Sequence, residues 1–331
     1  MNLVCNVAVR VAAGGSTTSC LCFSGKPHER RRYDRAMTSS ALWRPRHKSV
    51  VITGASSGLG RAAALHLADL GYRVFAGVRS QSSAEDLVNL PPSAGELIPV
   101  LLDVTDATSV ARAGDHVELR CADTGLWAVV NNAGVCVGSP LECLPIDELR
   151  TQLETNLVGV LQVTQRFLPL LRASKGRIVN VSSSIGNVAP PFLGAYAASE
   201  FGKEGLSDAL RRELGPLGVR VSVIEPGVVE TPIWRKLRAS AEQIIATAPA
   251  DIAATYRSRF TAFLDAHEKH VYASKTTPLQ YANAVAAALV AKRPKTRYRV
   301  GRDSWLSAVT HRVTPDPVLD VLIALAISRR R

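Results

Sequence analysis

Residues 53–60 read TGASSGLG, with glycines spaced G-x-x-x-G-x-G between an apolar β-branched run, KSVVIT, and a helical stretch, GRAAALHLADLG. Glycines at such a junction permit a tight turn and close approach of backbone to a pyrophosphate. The helix behind them offers free N–H groups and the positive end of its dipole. The spacing differs from the G-x-G-x-x-G of other dinucleotide folds; its place at the start of a β-α-β unit gives it weight. Gly54, Ser56, Ser57, Gly58, Leu59 and Gly60 are therefore candidate phosphate-binding residues. Near the end of the second strand, an acidic residue would hydrogen-bond the 2′-OH of NAD. Here the chain has Val78 followed by Arg79. An arginine pairs with a 2′-phosphate, so NADP(H) is the preferred cofactor, with NAD(H) an alternative. The plain reading of Arg79 is a solvated turn residue.

These groups need a frame, and the chain alternates in a way that builds one. The runs KSVVIT, YRVFAGV, LIPVLLDV, LWAVVN, GRIVNVSS and VRVSVIEPG read as buried strands, with a last short strand at 297–300. Helical stretches separate them, at about 105–119, 146–172, 195–214 and 278–291. Buried strands alternating with helices imply a parallel sheet covered on both faces, and right-handed crossovers make it a doubly wound, Rossmann-type α/β domain. Residues 228–277 break the rhythm with mixed apolar and charged residues and small helical pieces. An insertion beyond a strand's carboxyl end falls where ligands bind in such folds, so it reads as a substrate lid, against the plainer reading of a decorative insertion.

Motifs spread from residue 48 to 303 agree in order and spacing with one family. The chain resembles the short-chain dehydrogenase/reductase superfamily of the TGxxxGxG type, on TGASSGLG, LDVTD, NNAG, TNLVG, VSSS with Tyr196, and PGVVET. FGKEGLSDALRRELGPLGVRVSVIEPGVVETPIW resembles the branch that includes retinol and 17β-hydroxysteroid dehydrogenases. The resemblance implies an oxidoreductase acting on a small hydrophobic alcohol or ketone (steroid-, retinoid- or lipid-like). It places Asp103, with Val104, beside the adenine and Thr231 at the nicotinamide carboxamide. Asn132, Ala133, Gly134, Pro226, Gly227 and Val229 join the cofactor site, as does Tyr196. Asn156, Ser183 and Tyr196 become the catalytic residues, Ser183 lying 13 residues before Tyr196. A homo-oligomer is also implied by resemblance alone.

Hydride transfer to a carbonyl leaves an alkoxide that must receive a proton, and the reverse reaction needs a base. A phenol serves both if its pKa moves from about 10 toward neutrality. Tyr196 would be that group, Ser183 would stabilise the substrate oxygen, and Asn156 would fix a helix and a proton relay. The resemblance implies a lysine four residues after the tyrosine, and Glu200 stands there. A carboxylate one turn away disfavours the phenolate, although it can accept hydrogen bonds from ribose hydroxyls. Lys203 is seven residues from Tyr196, a rise of about 10.5 Å instead of about 6 Å. Three readings stay open for it: reaching back as a substitute, pairing with Glu200 at i, i+3, or simple exposure. A second function class, a dinucleotide-binding pseudoenzyme acting as sensor or partner subunit, rests on Glu200.

The net charge of +12 on 331 residues does not indicate nucleic acid. Residues 1–48 hold nine Lys/Arg against two Asp/Glu, +7, and Arg329–Arg331 add +3, which leaves about +2 for the body. A nucleic-acid binder concentrates charge on its folded surface. Basic tails beside the apolar VLDVLIALAI leave membrane-surface contact as a minor reading. That run is too short to span a bilayer. The six cysteines show no CxxC pattern and no metal-ligand spacing, as in a reduced, cytoplasmic protein. Residues 1–47 read as a disordered extension, 48–303 as the enzyme domain and 304–331 as a C-terminal helical extension; Met37 is a candidate start of synthesis.

Overall fold

The structure, a computed structural model, describes residues 48–328 apart from 91, 93 and 123. The expected disordered extension at 1–47 and the candidate start at Met37 lie outside the described residues.

In chain order the elements are β1 (Ser49–Ile52), α1 (Gly58–Asp69), β2 (Arg73–Val78), α2 (Gln81–Val88), β3 (Glu96–Leu101), α3 (Ala107–Arg120) and β4 (Leu126–Asn131). Then follow α4 (Ile146–Leu153), a π-helical turn (Glu154–Val158), α5 (Gly159–Ser174), β5 (Arg177–Val181), α6 (Gly194–Leu214) and β6 (Arg220–Pro226). The chain closes with α7 (Pro232–Thr247), α8 (Ala250–Ala273), α9 (Pro278–Val290), β7 (Arg297–Val300), α10 (Arg302–Val313) and α11 (Asp316–Ser328).

The strands form one parallel seven-stranded sheet in the order β3-β2-β1-β4-β5-β6-β7. Strand order reverses between β1 and β4, which opens a crevice at their carboxyl ends. Alternate residues face opposite sides. Val51, Phe75, Val129, Ile178 and Val221 pack with Val117 of α3, Phe167 of α5 and Leu210 of α6 in one core. The intervening Val50, Ile52, Val74 and Val130 are equally buried, as strands covered on both faces must be. α1 packs on α9, whose capping box at Thr277 and Gln280 fixes its start.

Four sequence expectations change. The stretch 81–88 forms a helix, started by Ser80, whose side chain accepts from the Ser83 N–H. The single helix expected over 146–172 is interrupted by the π-helical turn. The insertion is not a set of small helical pieces: it is two long helices, α7 and α8. They bury Leu237, Ala241, Ile244, Phe260 and Leu264 with Leu193 and Tyr196, a second apolar core large enough to order them. The helical extension expected from residue 304 starts two residues earlier, with α10 at Arg302. Among the described residues no helix is long and apolar enough to cross a membrane, and no cluster of His, Cys, Asp or Glu could hold a metal ion. Cys121, Cys136 and Cys143 are free thiols; Cys5, Cys20 and Cys22 lie outside the described residues.

Candidate active site

At the carboxyl ends of the central strands lies a cleft of about 350 Å³, and it brings together all the residues singled out for cofactor and catalysis. Its floor is the turn from β1 to α1. Gly54 (φ +67°) and Gly58 (φ +55°) adopt the left-handed conformation that glycine alone takes without strain. A Cβ on Gly54 would lie 2.8 Å from the Ala133 Cα, and one on Gly60 would collide with the Gly54 carbonyl and the Asn132 amide. α1 begins with no side-chain cap on its first N–H groups, which leaves them to an anion. This cradle fits the phosphates of a dinucleotide.

The neighbouring loop after β4 is clamped to that turn. The Asn132 and Ala133 N–H groups donate to the Thr53 hydroxyl at 3.0 and 2.9 Å, and Asn132 Nδ2 donates to the Thr53 carbonyl at 2.9 Å. The Tyr281 hydroxyl donates to Asn132 Oδ1 at 3.0 Å. Asn131, adjacent in sequence, turns the other way into a buried network with Thr164 and Asn180. Along the rim, Asp103 Oδ1 accepts from the Thr105 N–H and hydroxyl, and Arg79 is exposed at the end of β2. Opposite, Thr231 begins α7 with its methyl beside Gly58. The Val228 N–H donates to Asp303 at 2.6 Å, which fixes the Pro226–Val229 loop.

The chemical end is built on the π-helical turn, α6 and the bend after β5. The widened turn directs Asn156 at residue 135: Oδ1 accepts from the Val135 N–H at 2.9 Å, and Nδ2 donates to the Val135 carbonyl and to Glu200 Oε1, both at 3.0 Å. Single-turn π insertions are frequent at functional sites. One turn earlier, Gln152 holds the same segment through Val135 and Val137. Ser183, at the bend, accepts from the Ile185 N–H at 3.2 Å and places its hydroxyl beside Tyr196.

Tyr196 is buried, and its pKa is pushed well above the ordinary value near 10. Loss of solvent is the main cause; the Glu200 carboxylate and the Cys136 thiol add to it, and the neighbouring Ser183 hydroxyl offsets part. Lys203 is not exposed: it is 2% accessible. Its ammonium donates to both Glu200 oxygens, at 3.0 and 3.1 Å, and to the Val181 carbonyl at 3.0 Å. Of the three readings of Lys203, pairing with Glu200 is the one observed.

The lid supplies an apolar wall. Phe192, held at φ +67°, packs its ring on Phe260 and Phe263 at 5.3 and 5.4 Å. Trp234 and Ile233 line the cleft itself. The arrangement suits an apolar molecule that brings one polar oxygen to Ser183 and Tyr196.

Sequence reasoning passed over Gln152, Tyr281 and Asp303. Each acts through a backbone or side-chain partner remote in sequence, and only TNLVG, whose Asn156 lies four residues after Gln152, points at that part of the site.

Residues 48–242 match the short chain dehydrogenase family. The chain is 41% identical over 257 residues to 3-amino-tetrahydro-pyrrolizinone reductase of Xenorhabdus hominickii, covering 78% of this chain and 88% of the relative. It is 38% identical over 281 residues to 17-beta-hydroxysteroid dehydrogenase type 6 of Bos taurus, covering 83% and 87%. Among solved structures it is similar to a short-chain dehydrogenase from Streptomyces avermitilis, at a TM-score of 0.66 and 27% identity over 86% of this chain and 97% of that one.

Proposed function

The chain belongs to the short chain dehydrogenase family, and from that premise we propose that it transfers a hydride between NADP(H) and a hydrophobic alcohol or ketone. The observation that carries this reading is the meeting of Ser183, Tyr196 and Asn156 with the glycine turn in one cleft. The preference for NADP(H) over NAD(H) rests on Arg79, the charged residue at the end of β2.

A bound reduced nicotinamide supplies the hydride, and the remaining tasks fall to this chain. The turn Gly54–Gly60 holds the phosphates, Asp103 and Val104 flank the adenine, and Thr231 takes the carboxamide. Ser183 donates to the substrate oxygen and stabilises its growing charge. Tyr196 delivers its hydroxyl proton to that oxygen as the carbon is reduced. Asn156 keeps the 135–137 segment and Glu200 in place. Trp234, Ile233 and the two lid helices exclude water around the apolar body of the substrate.

Glu200 beside Tyr196 is the one observation that favours the second reading, a cofactor-binding protein without turnover. Turnover of a panel of steroid, retinoid and small cyclic ketones with NADPH, alongside NADPH fluorescence titration, separates the two. The expected result is NADPH oxidation with at least one ketone, lowered by roughly a hundredfold or more in Tyr196→Phe and Ser183→Ala, with NADPH affinity retained. NADPH binding without turnover on the whole panel would establish the second reading instead.

A further inference from the structure

α6 carries an ion pair that the proposed reaction does not call for. Glu200 and Lys203 are 1% and 2% accessible, with no solvent to screen them. We propose that this buried pair is an electrostatic brake on Tyr196, keeping its hydroxyl protonated through neutral and mildly alkaline conditions, with Glu200 and Lys203 as positioning residues. The inference rests on Tyr196 being the acid and base of the reaction, as proposed above.

The order of the charges along the helix carries it. Glu200 is one turn from Tyr196 and Lys203 nearly two, so the pair presents its negative end to the phenol. The pair is also immobile. The ammonium is anchored to both Glu200 oxygens and to the Val181 carbonyl, and Asn156 Nδ2 pins Oε1 from the π-helical turn. The Lys203 N–H groups are thereby committed to Glu200 and the Val181 carbonyl.

The other groups around Tyr196 do not reverse this sign. The segment after β4 presents the Cys136 thiol, itself kept protonated by burial and by Glu200. The bend after β5 presents the Ser183 hydroxyl, a modest counterweight. The lid side is apolar at Leu237, and Lys236 is the cation that α7 contributes to the cleft. A phenol held in this way donates its proton to a carbonyl oxygen and is reprotonated from solvent before the next turnover. As a base it is scarce: its phenolate fraction, and with it alcohol oxidation, rises tenfold per pH unit up to its own pKa.

The test is an ultraviolet-difference titration of phenolate on the full chain, without substrate. Subtracting Tyr196→Phe from the wild type isolates one of seven tyrosines. No Tyr196 step is expected at or below a pH of about 10, the ordinary tyrosine value. In the double variant Glu200→Gln/Lys203→Met, which removes both charges together, the step is expected to move down by about one pH unit or more. Glu200→Gln alone should move it further, because an unopposed ammonium remains; circular dichroism and NADPH titration check that each variant is folded. Glu200→Lys is unsuitable, since it sets a second ammonium against Lys203. A wild-type step at or below that value, or a double variant that titrates like the wild type, would overturn the brake. Full turnover by Tyr196→Phe would instead overturn the proposed function, and the titration is independent of it.

Discussion

Arg79 is a single exposed side chain on the rim of the cleft, yet the proposed preference for NADP(H) rests on it. Its pairing with a 2′-phosphate would be a charge-assisted, partly solvated contact worth about 1.5–3 kcal/mol. Arg79→Ala is therefore expected to weaken NADPH binding by roughly tenfold or more while leaving NADH within about twofold, read by fluorescence titration of both cofactors. Equal losses for both would assign Arg79 to general electrostatics. Tyr196 illustrates a different dependence on single residues. Its raised pKa means the acid form persists as pH rises, so carbonyl reduction is expected to stay flat through the range where free tyrosine ionises. Oxidation should climb across the same range, and steady-state rates in both directions from neutral to alkaline pH check this. At this scale the sequence was informative wherever residue type sufficed: glycine at Gly54 and Gly58 is demanded by positive φ. It was uninformative about Lys203. The spacing allowed reaching back, pairing and exposure alike, and only burial against the end of β5, with the ammonium on the Val181 carbonyl, selected the pair with Glu200.

Two elements set the character of the site. The π-helical turn between α4 and α5 turns Asn156 onto Val135 and Glu200; nothing in the polar and apolar pattern of 146–172 marks the extra residue. The lid helices α7 and α8 are held by a core of their own, centred on Phe260, Leu264, Leu237 and Leu193. Phe260→Ala deletes a ring that is 1% accessible and in contact with Phe192, at a cost of about 3–5 kcal/mol. That cost should fall on the lid more than on the sheet. Expected outcomes are faster amide exchange across 232–273 and a raised KM for a bulky ketone, with the exchange of β1, β4 and β5 unchanged. Accelerated exchange throughout the sheet would show that lid and sheet unfold as one unit.

At the scale of the whole molecule, the parallel sheet places β1 and β4 side by side and brings loops from residues 54, 132, 183 and 227 to one edge. α10 and α11 close the chain after β7. α10 is tied to the body by Asp303, by the Ser304 hydroxyl on the Glu225 carbonyl and by Ser307 on the Ser184 carbonyl. α11 differs: Val318, Val321, Leu322 and Leu325 are each about half exposed. Removing residues 314–331 is thus expected to shift the thermal midpoint by no more than about 2 °C, a loss of under ~1 kcal/mol for a domain this size. A larger fall in a calorimetric scan would mean that α11 packs on the body or on a second copy.

By itself the sequence determined the alternation of seven strands with helices, the glycine turn, and which residues gather at the cleft. These follow from local rules: period, β-branching, and backbone angles that only some residues accept. The tertiary structure alone decided the clamp of Tyr281 on Asn132, the π-helical placement of Asn156 and the burial of Glu200 with Lys203. Each depends on partners tens to hundreds of residues away and on the exclusion of water. That exclusion makes one carboxylate beside a phenol an effective control on its proton.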